Sequence, residues 1–292
     1  MIGDRRVVPY AAPAVLSQIT STLRPKGPLW VGAGIVALVL MLAIGANAVA
    51  PYDPLSTGPA VLEGPSIAHL MGTDALGRDL FSRILFGARL SLGAALLTLL
   101  LIVTAGVSLG LVAGYDGRWI DTILMRFADV VLSIPSLILV LAIVGLFRPG
   151  LLSLVLALSG VWWVRYARLT RGLVLSSRER VCVEAARALG AGDMRILIRH
   201  VLPDVLRSII VLATLDVGNV VLAVSALTFL GMGTQPPTPE WGAMINEGKD
   251  YLFVAPHVML FPGLTLSLTV LGFNLLGDGF VDSIGAKESR LP

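Results

Sequence analysis

Long uncharged apolar runs alternate with short polar segments along this chain, in the pattern of an integral membrane protein. A hydrocarbon core about 30 Å thick needs roughly 20 apolar residues in a helix. The first run, 29–50, has 22 residues without a charge, and the second, 90–113, has 24. The pattern predicts an all-α membrane protein with six crossings, at residues 29–50, 90–113, 130–147, 151–164, 208–232 and 258–277.

Two of these runs carry features that change their expected geometry. Pro135 lies inside the third run and predicts a kink, which neighbouring helices can tolerate in a membrane. The fourth run has only 14 residues, which span about 21 Å at the helical rise. We therefore expect this helix to continue past Trp162 and Trp163, with Arg165 and Arg168 reaching toward the membrane interface.

The polar segments divide the chain into one membrane domain with flanking pieces. The first run is longer than the roughly 7 to 15 apolar residues of a signal-peptide core, so we expect an uncleaved first helix. The expected pieces are a cytoplasmic tail at 1–28, a first transmembrane helix at 29–50, an extracytoplasmic loop with an interfacial helix at 51–89, a membrane domain at 90–281 and a cytoplasmic tail at 282–292.

The expected interfacial helix has one apolar and one basic side. Leu80 and Ile84 recur at helical spacing, whereas Arg78, Arg83 and Arg89 face away from them. These arginines would lie outside the cell membrane, against the usual enrichment of basic residues on the cytoplasmic side. The opposite orientation would violate that tendency more strongly.

Composition narrows the possible classes of function. Hydrophobic residues make up 55% of the chain and charged residues 14%, against about 25% charged in soluble domains. The basic residues cluster near predicted helix ends, which favours membrane lipid over nucleic acid as their surroundings. The single Cys182 excludes an internal disulfide, and the three histidines lack metal-ligand spacing. No phosphate-binding GxxxxGK[ST] motif is present in the sequence, so we expect no cofactor on this chain and an external energy source.

One basic segment, 165–207, interrupts the apolar pattern. It holds nine of the 22 basic residues, which predicts a cytoplasmic position and, with six crossings, cytoplasmic termini. Ser177 is expected to cap a short helix that Gly190 ends. Asp193 is expected to cap a second helix, 194–201, that Pro203 closes. On these local patterns alone, an ordinary basic loop between two membrane helices is an equally good interpretation.

The segment resembles the EAA motif of ABC-importer permeases in Glu184-Ala185-Ala186, in Gly190 and in Leu202-Pro203; His200 stands where the general consensus has Ile. In that family a short coupling helix of this loop inserts into a groove of the cytosolic ATPase. The resemblance implies a type I ABC importer fold with cytoplasmic coupling helices. It also implies a coupling role for Glu184, Ala185, Ala186, Arg187, Gly190 and Asp193.

Four further motifs narrow the resemblance to C-type permeases of dipeptide, oligopeptide and nickel importers. They are GTDALGRD at 72–79, GARLSL at 87–92, QPPTPEWG at 235–242 and FNLLGDG at 273–279. The resemblance implies a bacterial inner-membrane protein that pairs with a second homologous permease. It further implies two ATPase subunits that carry ATP and Mg²⁺, and an extracytoplasmic solute-binding protein.

The candidate substrate and docking residues each have two interpretations on sequence alone. The family commonly has an Ala-Glu-Ala-Ser-like stretch where this chain has AVSA at 223–226, and Asp216 and Asn219 occur a few residues earlier. Asp216 is either a pathway carboxylate that meets a peptide's amino terminus or a helix-helix hydrogen-bond partner. Glu240 and Trp241 either contact the binding protein or belong to a rigid connector.

Three classes of function remain open at this point. The favoured one is an importer of di- or oligopeptides, with nickel, glutathione or haem as alternative substrates. A secondary carrier or channel that acts without an ATPase is the second class. The third is a membrane-anchored scaffold whose cytosolic segment recruits a partner.

Overall fold

The computed structural model describes residues 27–117 and 119–288, and these form helices without a strand. Most of the predicted N-terminal tail and residues 289–292 lie outside the described residues. The α-helices are α1 (Gly27–Ile44), α2 (Ala46–Val49), α3 (Leu80–Asp116), α4 (Trp119–Ser133), α5 (Ser136–Leu146), α6 (Leu151–Arg178), α7 (Val181–Ala188), α8 (Asp193–Ile196), α9 (Leu202–Phe229), α10 (Trp241–Gly248) and α11 (His257–Glu288).

Four stretches of the described chain are long and apolar enough to cross a membrane, and a fifth is obtained if the bent pair α4 and α5 counts as one span. The four are 27–44, 80–115, 193–229 and 257–281. α6 covers the predicted fourth crossing and continues to Arg178, so the expectation that it extends past Trp162 and Trp163 is confirmed. Helix α11 also continues through Glu288, into the segment expected to be a C-terminal tail.

A separate interfacial helix before the second crossing does not form. Instead α3 begins at Leu80, where the Asp79 carboxylate caps it by accepting from the Ser82 N–H at 2.8 Å. No proline interrupts its 37 residues, so it runs about 55 Å without a break. The expectation for the end of 51–89 is therefore corrected, because this N-terminal cap starts one continuous helix.

Arg78 and Arg83 are buried, although the sequence predicted that they lie on the basic side of an interfacial helix. Arg78 donates from Nε to Asp74 Oδ2 at 2.6 Å and from Nη2 to Glu247 Oε2 at 2.9 Å. Arg83 donates from Nη2 to the same Glu247 oxygen at 3.0 Å. This group joins the segment before α3 to α3 and α10 at the end of the bundle that the sequence predicts to face outward, and it is called the outer ion-pair cluster. Because these arginines are paired with carboxylates, their predicted position outside the membrane conflicts less with the usual enrichment of basic residues on the cytoplasmic side.

The third predicted crossing is divided into two helices rather than kinked. α4 and α5 meet at an angle of 92° across Ile134 and Pro135. Proline lacks an N–H and disfavours helical backbone at the residue before it, so the break falls at these two positions. Beyond the bend, α4 packs against α3 and α6.

α3 and α6 pack at backbone contact along three glycines. A Cβ on Gly106 would lie 2.4 Å from Tyr166 Cβ, and one on Gly110 would lie 2.5 Å from the Ala167 carbonyl oxygen. A Cβ on Gly114 would lie 2.8 Å from Val174 Cβ. Small residues of this kind let membrane helices approach closely. The contact, called the glycine seam below, holds α3 and α6 together as a pair.

Candidate functional site

The short helix α7 is the first of two candidate sites, and it forms a compact knob on the end of α6. Its N-cap is Arg180, whereas Ser177 remains inside α6, so the predicted Ser177 cap is wrong. Val183 is buried beneath the helix, and Gly190 follows with φ of +81°. This left-handed conformation suits glycine and ends the helix.

The exposed face of α7 carries one acid among apolar side chains. Glu184 is exposed, and it has no ion pair among the side chains that the structure describes. Val181 and Leu189 are exposed by 80% and 89%, and Met194 on α8 is also exposed. Exposed apolar residues grouped in this way mark contact surfaces for other proteins.

The remaining coupling candidates surround that face. Ala185 and Arg187 are exposed, Ala186 is half-buried, and Gly190 forms the turn after α7. Asp193 is the first residue of α8, not its N-cap as the sequence predicted, and it is exposed. The small side chains of Ala185 and Ala186 leave the backbone of α7 accessible on this side.

Pro203 does not close the second helix, which corrects the sequence prediction. α8 continues through a π-helical turn, Leu197–Val201, directly into α9. Pro203 lies in the first turn of α9, directly after the π-helical turn, where the regular α-helical hydrogen-bond pattern is interrupted and a missing N–H is tolerated. As a result, the segment after α7 is joined rigidly to a long membrane helix.

Two arginines fix the base of α7 to the rest of the bundle. Arg178 Nη1 donates to the carbonyl oxygens of Gly114 at 3.1 Å and Tyr115 at 2.9 Å. Both lie at the C-terminal end of α3, where the last carbonyl oxygens have no partner within the helix. Arg180 forms an ion pair with Asp204 at the start of α9. The knob is therefore attached to α3, α6 and α9 together.

A cavity of about 550 Å³ lies between α3, the bend of α4 and α5, α6 and α9, and it is the second candidate site. Its walls are mostly apolar. The polar side chains that reach it come from one small group on α6 and α9, with one serine from α5: Arg165, Tyr166, Asp216, Asn219 and Ser136. The volume is within the range of ligand pockets, about 300 to 1,000 Å³.

Asp216 is the centre of the polar group. Its Oδ1 accepts from Arg165 Nη1 and Asn219 Nδ2, both at 3.1 Å, and its Oδ2 accepts from the Tyr166 hydroxyl at 2.9 Å. Asp216 as a whole residue is 5% exposed. Asp216 and Asn219 thus line the cavity, and Asp216 also bridges α6 and α9.

Sequence reasoning missed Arg165 and Tyr166 as cavity residues, because Arg165 was expected to reach toward the membrane interface. One signal could have identified the arginine. An acid within an apolar membrane helix is costly unless it has a partner. Asp216 on the fifth predicted crossing therefore called for a basic residue on a neighbouring helix, and Arg165 at the end of the fourth run was available.

Glu240 and Trp241 are both completely buried, which contradicts their prediction as docking residues. Glu240 caps α10 by accepting from the Ala243 N–H at 2.9 Å, and it accepts from Ser91 Oγ at 2.9 Å. Trp241 donates from Nε1 to the Ile84 carbonyl oxygen at 3.1 Å. Burial raises the pKa of Glu240. These residues fix the outer segment onto α3 and present no surface to another protein.

Comparison with known proteins agrees with this geometry. Residues 106–290 match the family described as binding-protein-dependent transport system inner membrane component. The chain is 43% identical over 260 residues to the glutathione transport system permease protein GsiD of Pectobacterium atrosepticum, which covers 88% of this chain and 86% of that protein. The protein of the same name from Escherichia coli O6:K15:H31 is 42% identical over 254 residues, covering 86% and 84%.

A solved structure supports the fold. One chain of the inward-facing MetNI methionine ABC transporter superposes with a TM-score of 0.54 at 19% identity, covering 70% of this chain and 97% of that one. The family match spans more than half of the chain, and the sequence relatives span most of it. The chain therefore belongs to the binding-protein-dependent transport system inner membrane components, and it is a permease subunit of an ABC importer, in which ATP hydrolysis takes place on partner chains.

Proposed function

We propose that this chain forms half of the translocation pathway of an ATP-driven importer of short peptides, the tripeptide glutathione among them. The observation that carries the proposal is the exposed face of α7, which is joined through α6 and α9 to the polar group of the cavity. Both GsiD relatives are glutathione transport permeases by name, which favours peptide-like substrates over nickel or haem.

The proposed assembly contains a second homologous permease, two ATPase subunits that bind ATP and Mg²⁺, and an extracytoplasmic solute-binding protein. The cavity supports the pairing with a second permease because it is not enclosed by this chain. Arg165 lines it, yet the arginine side chain remains 62% exposed. A partner permease would close this open side. The basic segment at 165–207 favours the cytoplasm for α7 and for both termini.

Coupling follows from how α7 is attached. When the ATPases close on ATP, the ATPase groove that holds α7 displaces this helix. Because only two residues separate α6 from α7, α6 moves with it. The glycine seam and the Arg178 contacts make α3 follow α6. The ion pair from Arg180 to Asp204 transfers the displacement to α9. Since α3, α6 and α9 form cavity walls, the movement opens the pathway to alternate sides of the membrane.

Glu184 is assigned to ATPase docking, with Ala185, Ala186, Arg187, Gly190 and Asp193 shaping the contact. An exposed carboxylate without an ion pair in the described chain can accept hydrogen bonds or pair with a base on the ATPase. The exposed Val181 and Leu189 would supply the apolar part of the interface. Truncation of such central contact residues commonly costs more than about 1 kcal/mol of binding free energy.

The test is ATP-dependent uptake of labelled glutathione and trialanine by the assembled importer in proteoliposomes. Glu184→Lys should reduce uptake at least about tenfold, because a base replaces the docking acid at a cost of roughly 1.4 kcal/mol or more. The variant should still insert into the membrane. Glu179→Lys is the matched control, since Glu179 is also exposed but stands at the end of α6, before α7.

Two results would contradict the proposal. Full uptake by Glu184→Lys would remove the coupling assignment. Uptake of nickel or haem without either peptide would keep the permease but overturn its proposed substrate.

A further inference from the structure

The hydrogen bonds of Asp216 leave little capacity for a substrate. A carboxylate has about four lone-pair positions. In Asp216, Oδ1 accepts from Arg165 and Asn219, while Oδ2 accepts from Tyr166 at 2.9 Å and from Arg165 Nη1 at 3.3 Å. These four contacts use those positions and pair the charge. A peptide ammonium group would have to displace them, which argues against Asp216 as the site that meets a substrate's amino terminus.

Arg165, in contrast to Asp216, keeps most of its hydrogen-bonding groups available. A guanidinium carries five N–H donors in a planar fork. In the part of the chain that the structure describes, the hydrogen bonds of Arg165 all come from Nη1 and go to Asp216. Its side chain lines the cavity and remains 62% exposed. The edge formed by Nε and Nη2 is therefore available, and it has the geometry that binds a carboxylate with two parallel hydrogen bonds.

The surroundings strengthen this preference for an anion. Apart from Arg165 and Asp216, no charged side chain of residues 27–117 or 119–288 lines the cavity. The nearby wall is apolar, with Val161 and Trp162 from α6 and Ile102 from α3. Such walls lower the local dielectric constant, so a charge-assisted hydrogen bond is worth more there than in water. No second acid competes for the free edge of the guanidinium.

We propose that Arg165 is the carboxylate-binding group of the permeation pathway, held in position by Asp216, Tyr166 and Asn219. The inference rests on the proposed function and adds a chemical class to it. The permease itself, independently of the binding protein, favours peptides that carry a free carboxylate. Asp216 is a positioning residue in this arrangement, since it orients Arg165 and does not touch the substrate.

The experiment compares acid and amide probes in the assembled importer. Uptake of glutathione is measured beside uptake of its two mono-amides, in which either the glycine or the γ-glutamyl carboxylate is neutralised. If the wild-type importer takes up only trialanine, trialanine and its C-terminal amide are the probes. The same binding protein is used throughout, so its own preference cancels when the acid-to-amide uptake ratio of a variant is divided by that of the wild type.

Arg165→Gln should lower the acid-to-amide ratio about tenfold for the carboxylate that Arg165 contacts, as expected for one charge-assisted pair. Arg165→Lys should lower it less, because lysine keeps the charge but not the fork. Asp216→Asn should lower the ratio partially, because it loosens Arg165. Arg168→Gln is the matched control: it lies on α6, pairs with Asp129 and does not line the cavity.

The outcomes separate this inference from the proposed function. A wild-type importer that takes up neither glutathione nor trialanine would contradict the proposed substrate. If the wild-type importer takes up the probe and both Arg165→Gln and Arg165→Lys keep the wild-type acid-to-amide ratio, the inference alone is overturned. Binding-protein-stimulated ATPase activity shows whether a variant is assembled. If Arg165→Gln is not, the assembled Arg165→Lys decides: a lowered ratio supports the inference and an unchanged one overturns it.

Discussion

The two ends of the permease, the outer ion-pair cluster and the α7 knob, use charged residues in opposite ways. At the outer end Arg78 and Arg83 are buried and paired with Asp74 and Glu247. On α7 the charge of Glu184 is exposed, and apolar neighbours are exposed beside it. The outer end pairs its charges with one another, whereas the knob exposes both a charge and apolar surface.

The contrast supports the proposed division of roles, in which the outer end is structural and α7 contacts a partner. Buried ion pairs fix one arrangement because an unpaired charge is costly inside a protein. Exposed apolar surface has the reverse effect, since it gains stability only when a partner covers it. Helix α3 connects the two regions, because it starts beside the outer ion-pair cluster and ends under the Arg178 contacts.

The largest expected effect comes from breaking the outer ion-pair cluster. Glu247→Ala leaves Arg78 and Arg83 with Asp74 as their remaining carboxylate partner. Removing one member of a buried pair costs about 3 to 5 kcal/mol, and the lower end applies because the Glu247 side chain is 23% exposed. The free energy of unfolding, measured by denaturant titration in mixed micelles, should fall by about 3 kcal/mol.

Lys249→Ala is the matched control for that variant. Lys249 lies two residues further on, is exposed and contacts Asn246. Its removal should change the free energy of unfolding by less than about 0.5 kcal/mol. Equal effects of the two substitutions would mean that the outer ion-pair cluster does not stabilise the fold.

A smaller effect is expected where α3 links the two regions. Gly110→Ala places a Cβ 2.5 Å from the Ala167 carbonyl oxygen, so α3 and α6 must separate. Such overpacking costs about 1 to 3 kcal/mol. Gly93→Ala is the control, because a Cβ on Gly93 of the same helix meets nothing within 4 Å. In mixed-micelle titration the first variant should be destabilised and the second should not; a matching loss in Gly93→Ala would show that the seam has no special role.

Much of the helix placement could be predicted from the sequence, because uncharged runs have few alternatives in a membrane. Runs 29–50 and 258–277 fall largely on α1 and α11, and the extended fourth helix was expected. The sequence could not show how the helix responds to each proline. Pro135 divides a span into two helices, whereas the helix continues through Pro203 after a π-helical turn. That difference depends on packing and hydrogen bonding beyond the local pattern.

The candidate sites show the same limit at the level of side chains. The face around Glu184 could be expected from local spacing, since α7 is short and its exposure needs few tertiary contacts. Burial of Glu240 and Trp241 depends on partners about 150 positions away, such as Ser91. The pairing of Arg165 with Asp216 spans 51 positions. A single sequence indicates that a membrane acid needs a partner, but not which residue supplies it.

The smallest expected effect concerns the pH dependence of the outer end. Burial raises the pKa of Glu240 above that of an unfolded glutamate, about 4.3. The folded state therefore keeps this proton at pH values where the unfolded chain has lost it. The stabilising contribution is complete below about pH 4.3 and is lost as pH rises through the raised pKa. Glu240→Gln keeps the shape of the side chain without a titratable proton, so the part of the pH dependence of stability that comes from Glu240 should disappear. Melting temperatures measured from about pH 4.3 upward should show the wild type losing stability relative to Glu240→Gln as pH rises. A constant difference would mean that the proton on Glu240 does not distinguish the folded from the unfolded state.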